Sequence, residues 1–437
     1  MIIRKSALIQ YALIYLMMIY NGGVLYADIK VERPIYIQIV SYTIIIVGFL
    51  AIFLNKKKYG NQYCLYISAI LVIAVMIVRY TVGGVGLSAL VDYLSCIMMA
   101  FLTVSVDKKM FPTRVINVVY CFAGLSVICY LLQIFSPNIL KMLLSPFKSS
   151  FSYNDWSAAA YGGSMVNISY TAWGKLLFTM REGEMTRNLG IFTEPGNYQI
   201  VLNCAMFFLL FLPQFYLFNN KQMKRRFIVI TLAILTTQST SGYLILLSYF
   251  ITFFFIKDYS NMTNIRKTIL GLLFLAAIFL ILDYNIRGNN SLLYTAVIGK
   301  LFNEGNMDIT ASTGVWRLGT IGTSALLMIM HPLGAGFDTT FSVIQQQLAG
   351  SAGGALMAFG AALGIIPFFA TIIWYIYPVV RSSSLTVAAK ITFMILFFQS
   401  VMAQSKVFYP FIVCISIWLL VNRKNDHLKY ENGIYLR

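Results

Sequence analysis

Ten apolar runs limit what this chain can fold into. They cover residues 7–26, 35–54, 63–81, 88–106, 115–135, 197–218, 227–256, 268–284, 352–378 and 391–421. A bilayer crossing takes about 20 mostly apolar residues. Within lipid, backbone polar groups must be satisfied inside the segment, and that favours helices. No water-soluble interior could hide so much apolar surface, since 59% of the 437 residues are hydrophobic and 11% are charged. A soluble enzyme, a disordered chain and a secreted disulfide scaffold are excluded on that ground. The expected class is all-α: one polytopic membrane domain over residues 1–437, with two large outward-facing helical loops.

Two runs, 227–256 and 391–421, are too long for a single crossing. Lys224-Arg225-Arg226 and Arg266-Lys267 flank the first, and Lys390 and Arg423-Lys424 flank the second. Basic residues favour the cytoplasmic side, so each run must go out and return. The turning points are the polar tips 236–242 (Thr-Thr-Gln-Ser-Thr-Ser-Gly) and 404–406 (Gln-Ser-Lys). The two runs then divide into 227–239 with 241–256, and 391–404 with 407–421. Twelve spans result, with both termini inside, which fits a bacterial cytoplasmic (inner) membrane protein. Each arm has about 15 residues, or about 22 Å of helix, against about 30 Å of hydrocarbon. Polar tips at that depth are tolerated only beside protein or a water-filled cavity, so an outward-facing depression is expected.

The remaining basic clusters agree with this orientation. Lys56-Lys57-Lys58, Lys108-Lys109 with Arg114, and Arg381 with Lys390 all fall on inner loops. All the segments expected inside, both termini included, together hold 21 of the 33 Lys and Arg and 4 of the 15 acids. The net charge of +18 is therefore an orientation signal and does not point to nucleic acid. Arg4 and Lys5 before an apolar run resemble a signal peptide. Leu25 spoils the small-x-small cleavage pattern, and the run reads as a retained first span. Cys64, Cys96, Cys121, Cys129, Cys204 and Cys414 all lie in apolar runs and read as small buried hydrophobes.

Two long, less apolar segments, 136–196 and 285–351, are expected outside. The first holds Tyr153, Trp156, Tyr161, Tyr170 and Trp173 among small residues, which suits elements in the membrane interface. The second holds a helical stretch from about Gly314 to Met330. As a span it would leave 331–351 as an inner loop without one Lys or Arg, so it is read as lying outside.

Three constellations on the outer side could carry chemistry. The first is residues 187–197, Arg-Asn-Leu-Gly-Ile-Phe-Thr-Glu-Pro-Gly-Asn, leading into the sixth span. Pro195 suits the first turn of a helix and pushes Glu194 towards extended backbone. Free N–H groups at that helix start favour an anion. Alternatively, Thr193 is only an N-cap and Glu194 a dipole partner. Arg181 is the best of the nearby charges; Glu182 and Glu184 read as solvated. The second constellation is residues 312–317, Ser-Thr-Gly-Val-Trp-Arg. Arg317 in a first helical turn opposes the dipole unless it meets an anion or pairs with Asp308. The third is residues 331–338, His-Pro-Leu-Gly-Ala-Gly-Phe-Asp, where a helix ends. His331 is a general acid/base candidate or a partner of the helix C-terminus. Arg79 and Asp92, near the outer ends of adjacent spans, read as a structural ion pair. No Walker A, HExxH or DxD-like pair occurs, so neither a metal nor another cofactor is expected.

The run Arg187-x-x-Gly190-Ile191-Phe192-x-Glu194-Pro195 resembles the R-x-x-G-x-F-x-E-P segment of bacterial O-antigen and capsular polysaccharide polymerases. So do Gln238 to Gly242 at a hairpin tip, Arg317 followed by a helix and the run His331 to Phe337, and the stretch from Gly353-Gly354 to Leu363-Gly364-Ile365-Ile366. Order, spacing and topology agree over residues 187–366. The related O-antigen ligases carry a His shortly after the Gly-x-Gly turn. The matching position here, near Gly353, has none, which favours a polymerase.

The resemblance implies metal-independent glycosyl transfer at the outer face from an undecaprenyl-diphosphate-linked oligosaccharide, with a chain-length regulator and a flippase as associated proteins. It implies that Arg187 and Arg317 bind the diphosphate, with Arg181 as a third cation, and that Glu194 acts as base or orients the site. Thr193, Asn197, Gln238, Ser239 and His331 are implied to line it. Three rivals are an O-antigen ligase, a lipid-linked oligosaccharide flippase and an ion-coupled transporter. A flippase is expected to show two similar halves, and a transporter more intramembrane acids than Asp92.

Overall fold

The computed structural model describes residues 5–54, 59–82, 87–155, 166–181, 186–215, 218–255, 314–348, 354–404 and 406–432, with a few positions between 271 and 294. Among these residues the chain is mostly helical. The first helices are α1 (Lys5–Tyr20), α2 (Val24–Glu32), α3 (Pro34–Leu54), α4 (Tyr59–Val82), α5 (Leu87–Val106), α6 (Phe111–Phe135) and α7 (Pro137–Leu144). Three strands follow, β1 (Ser149–Asp155), β2 (Val166–Trp173) and β3 (Met180–Arg181). Then come α8 (Pro195–Phe211), α9 (Asn220–Thr236), α10 (Thr240–Phe255), α11 (Gly314–Met330), α12 (Phe337–Leu348), α13 (Ala355–Leu363), α14 (Ile365–Arg381), α15 (Val387–Ala403) and α16 (Pro410–Asn432). Of the expected span 268–284, residues 271, 278–279 and 281–284 are described and are helical; the rest lies outside the described residues.

Four helices, α3 to α6, are long and apolar enough to cross a membrane, and several shorter apolar helices accompany them. Both overlong runs consist of two helices, with breaks at 237–239 and 404–409. Two other runs are broken where one span is expected. The first helix stops at Tyr20 and restarts at Val24, and residues 352–378 divide at Gly364.

The centre of the bundle is α8, in which every residue from Pro195 to Phe211 is buried. Its sequence is apolar on most of its circumference, the pattern of a helix enclosed by others, and its three amides, Asn197, Gln199 and Asn203, are buried as well. Helices α6, α9, α10, α15 and α16 pack around it. By contrast, α3 buries only Ser41, Gly48 and Ile52. Away from the start of α8, α1, α5 and α6 are clamped by Arg114. Its guanidinium donates to Asp107 Oδ2 at 2.7 Å and Gln10 Oε1 at 2.6 Å, and Gln10 Nε2 donates to Thr103 O at 2.8 Å. Four cysteines are buried as expected, but Cys121 is exposed and Cys129 half-buried.

The first outer segment corrects the all-α expectation. It holds a three-stranded antiparallel sheet in the order β1-β2-β3. Ser149 pairs with Ala172, and Asp155 with Val166, at the two ends of the long ladder. The strands read Ser-Phe-Ser-Tyr and Val-Asn-Ile-Ser-Tyr-Thr, an alternation that fits a half-buried strand.

The turn after α11 and the break before α14 pair backbone to backbone. Ala335 N donates to Ala361 O (2.8 Å), Gly336 N to Ala362 O (3.1 Å) and Ile365 N to Pro332 O (2.9 Å). Gly334 (φ 104) and Gly364 (φ 98) are left-handed, and a Cβ on either would stand 2.6 Å from a carbonyl oxygen across the contact. The two glycine-rich motifs are thus two halves of one close backbone crossing.

Candidate functional site

The segment 186–197 runs across the start of α8, between the α9–α10 connection and the turn after α1. Asn188 holds its first bend. Its Oδ1 accepts from Gly190 N (3.0 Å), and its Nδ2 donates to Thr236 Oγ1 (2.9 Å) and Ser126 Oγ (3.2 Å). Further on, Val24 N donates to Ile191 O (2.9 Å) and Thr193 N to Gly22 O (3.0 Å). Thr193 Oγ1 also donates to Gly22 O (3.2 Å). Thr193 therefore anchors the α1–α2 turn and is not the N-cap. That position belongs to Glu194, with φ −136 and ψ 141. The shift by one residue follows from Pro195, which starts the helix and keeps its predecessor extended.

Glu194 is exposed. Its carboxylate makes no capping bond to α8 and no hydrogen bond or ion pair among the described residues. A carboxylate at a helix N-terminus is favoured by the dipole, so it can stand there charged without a local partner. On the adjoining strand β3, Arg181 donates from Nη1 to Thr193 O at 3.3 Å, beside Glu194. Asn197 is buried, its amide lying against Gly22.

Arg187 has a different setting. Nε donates to Thr237 O at 3.2 Å and Nη2 to Gln238 O at 3.3 Å. The guanidinium thus sits on the carbonyl end of α9, where the dipole favours a cation. Gln238 reaches back, its Nε2 donating to Thr186 O at 2.9 Å, and it adopts a left-handed φ of 49°. Ser239 is buried and shares a hydrogen bond with Ser241 Oγ at 3.1 Å. Ser241 meets Gln199 Nε2 at 3.4 Å, and Asn203 Nδ2 donates to Gln199 Oε1 at 2.8 Å. Two motifs distant in sequence are thus brought together, but much of their polar capacity goes into holding one another.

A second connection, between α15 and α16, lies against the same helix start. Gly196 carries the Gln404 amide so closely that a Cβ there would overlap it. Two residues on, Lys406 is partly buried, its Nζ 6.0 Å from the centre of the Tyr26 ring. Lys30 Nζ stands 5.8 Å from the centre of the same ring and 3.9 Å from Asp92 Oδ2. Asp92 thus meets Lys30 and not Arg79, which stays exposed on α4. Burial pushes the Lys406 ammonium below the usual lysine value, while the nearby charges of Asp92 and Glu194 pull it back up.

The other expected site residues separate. Arg317 falls in the first turn of α11, but its side chain, like Asp308, lies outside the described residues, as do Glu182 and Glu184. Thr320 and Ile321 of α11 pack on Gly354, whose N–H donates to Met402 O at 2.8 Å. The start of α11 is thus near the α15–α16 connection. His331 is at the far end of the same helix, about 20 Å away at 1.5 Å per residue, exposed beside Met330 and Leu333. It does not join the Glu194 group.

Gln404, Lys406, Lys30, Tyr26 and Asp92 were not among the expected site residues. The polar tip 404–406 was legible as a turn, but nothing local marked it as a neighbour of Glu194. Among the described residues, no group of three or more His, Cys, Asp or Glu converges as a metal site would require. An open apolar groove along α4 is lined by Val72, Ile73, Met76, Ile77, Tyr80 and Thr81, none of which belongs to this group. No protein-family model matches the chain, and no curated protein is similar to it in sequence.

Proposed function

We propose that this chain is a membrane glycosyltransferase that joins polyprenyl-diphosphate-linked oligosaccharide repeats into a surface polysaccharide at the outer face of the cytoplasmic membrane. The observation that carries the reading is the exposed Glu194 carboxylate. It stands uncommitted at the start of the enclosed helix α8, within a neighbourhood that holds Arg181 and Lys406. Several of the helices that gather there are short. Helices α8, α9 and α15 have 17 residues and α10 has 16, about 25 Å, whereas α3 to α6 have 20 to 25, about 30–37 Å. A recess at the outer end of the short helices suits a substrate whose lipid stays in the bilayer while its sugars stay in water.

In the proposed reaction, a hydroxyl at the non-reducing end of one repeat attacks the anomeric carbon of another chain. A new C–O bond forms as the C–O bond to the diphosphate breaks. The lipid diphosphate leaves with the electron pair, and Glu194 accepts the hydroxyl proton. Cations and helix N-termini stabilise the charge that develops on the leaving group. That group is stable as an anion, so the demand on a general acid is small. Arg187 holds the α9–α10 connection in place, and Arg317 supplies a further cation from the start of α11.

The test is to substitute Glu194, Arg187 and Arg317 singly and score polymer length in cells at matched protein level. Single repeat units at the surface without polymer are the expected result. Full-length polymer in all three variants removes the assignment. Complete loss of surface repeats in a deletion strain would indicate a flippase instead.

A further inference from the structure

We propose that Lys406 binds the diphosphate of the lipid-borne substrate and holds it beside Glu194. This rests on the polymerase reading and adds to it a contact residue that the resemblance does not supply. Arg187, expected to bind the diphosphate, directs Nε and Nη2 to the carbonyls of Thr237 and Gln238. Lys406 has no such commitment. Among the described residues its ammonium makes no hydrogen bond and no ion pair. It is partly buried against the face of Tyr26.

A cation in that position is costly without an anion. Burial disfavours its charge. Glu194 at the start of α8 and Pro410 at the start of α16 mark two helix N-termini nearby, where the dipoles also oppose a cation. Asp92 is already 3.9 Å from Lys30. An incoming diphosphate removes the conflict. Its oxygens suit the three rotatable donors of an ammonium, and Gln404, packed on Gly196, keeps the connection against the first turn of α8. A ligand seated there lies next to the carboxylate that takes the proton.

Binding to full-length protein in nanodiscs tests this without requiring turnover. The probes are undecaprenyl diphosphate, undecaprenyl monophosphate and inorganic pyrophosphate, compared for wild type, Lys406→Gln and Lys406→Arg, each checked for an unchanged melting temperature. The expected result is at least a tenfold weaker undecaprenyl diphosphate affinity in Lys406→Gln, with most of it restored in Lys406→Arg. The monophosphate should be affected less. Wild-type affinity in Lys406→Gln overturns the proposal. So does a Lys406 dependence seen with inorganic pyrophosphate and absent with the lipid. If Lys406-dependent binding holds in a protein that polymerises nothing, this inference stands and the polymerase reading falls.

Discussion

The two connections that meet the start of α8 are built differently. At the α9–α10 connection almost every polar group has a partner: Arg187 on Thr237 and Gln238, Gln238 on Thr186, Asn188 on Thr236, and Ser239 on Ser241. At the α15–α16 connection Lys406 carries a charge that has no hydrogen-bonded partner among the described residues, and it acts on Glu194 at the start of α8 through space. The first arrangement fixes backbone; the second leaves charge available to something that enters. A paired polar network is rigid because breaking it strands buried groups. An unpaired charge at a rim is tolerated when binding is its use.

Substitutions should separate the two sides. Glu194→Gln removes the proposed base on the receptive side, and polymerisation should fall by about 10²–10⁴-fold. Its melting temperature should stay within a degree or two of wild type, because the carboxylate makes no internal bond. A large loss of stability would show that Glu194 belongs to the clamp.

On the clamp side, Arg187→Ala should destabilise the protein by about 2–3 kcal/mol, since hydrogen bonds to a charged donor are lost at a helix end. Thermal unfolding in detergent reads this directly. Arg187→Lys should recover only a small part, because an ammonium cannot match the planar fork that spans two carbonyls. If Arg187→Ala melts like wild type yet polymerises nothing, the arginine acts on substrate and the two sides are alike.

Gly196→Ala probes the contact between helix and connection. Its Cβ would overlap the Gln404 amide, and overpacking of this kind costs roughly 1–3 kcal/mol. The same variant should weaken undecaprenyl diphosphate binding by displacing Lys406, whereas Ser239→Ala should leave binding unchanged. The loss of stability in Ser239→Ala should be about 1 kcal/mol, the contribution of one ordinary hydrogen bond. Equal effects of these two variants on binding would erase the distinction between the connections.

Lys406 also sets a pH dependence. Its ammonium is held below the usual lysine value by burial and by Lys30, against the pull of Cys96, Asp92 and Glu194, with the Tyr26 ring beside it. Binding that needs the charged form is complete below that lowered value and is lost as pH rises through it. The alkaline limb of binding in wild type should lie at lower pH than an exposed lysine would give. In Lys406→Arg the limb should move upward.

The positions of turns were legible in the sequence because polar and basic residues interrupt an apolar background. The tips at 236–242 and 404–406 both coincide with helix breaks. The stretch from Gly314 to Met330 is a helix with those limits. The break at Gly364 was not legible, since it lies in an uninterrupted apolar run and depends on Pro332 O and Gly334 across the contact. The sheet at 149–181 could have been found from its alternation. The role of Arg187 could not, because it depends on the direction in which a guanidinium folds back on carbonyls 50 residues away.

The contrast between α8 and α3 shows where sequence stops being informative. Both are apolar along their whole length, yet one is enclosed on every side and the other mostly faces outward. In water, an apolar surface identifies the interior. In lipid the tails are as apolar as a leucine, so hydropathy no longer separates core from surface. Composition determined that the chain is mostly helical, with helices apolar enough to cross a membrane. The local pattern also marked the carboxylate ahead of Pro195 as a helix start. Only the tertiary structure decided which helix is central, and that Tyr26, Asp92, Glu194 and Lys406 meet at its end. Such contacts join residues hundreds of positions apart, and no local pattern encodes them.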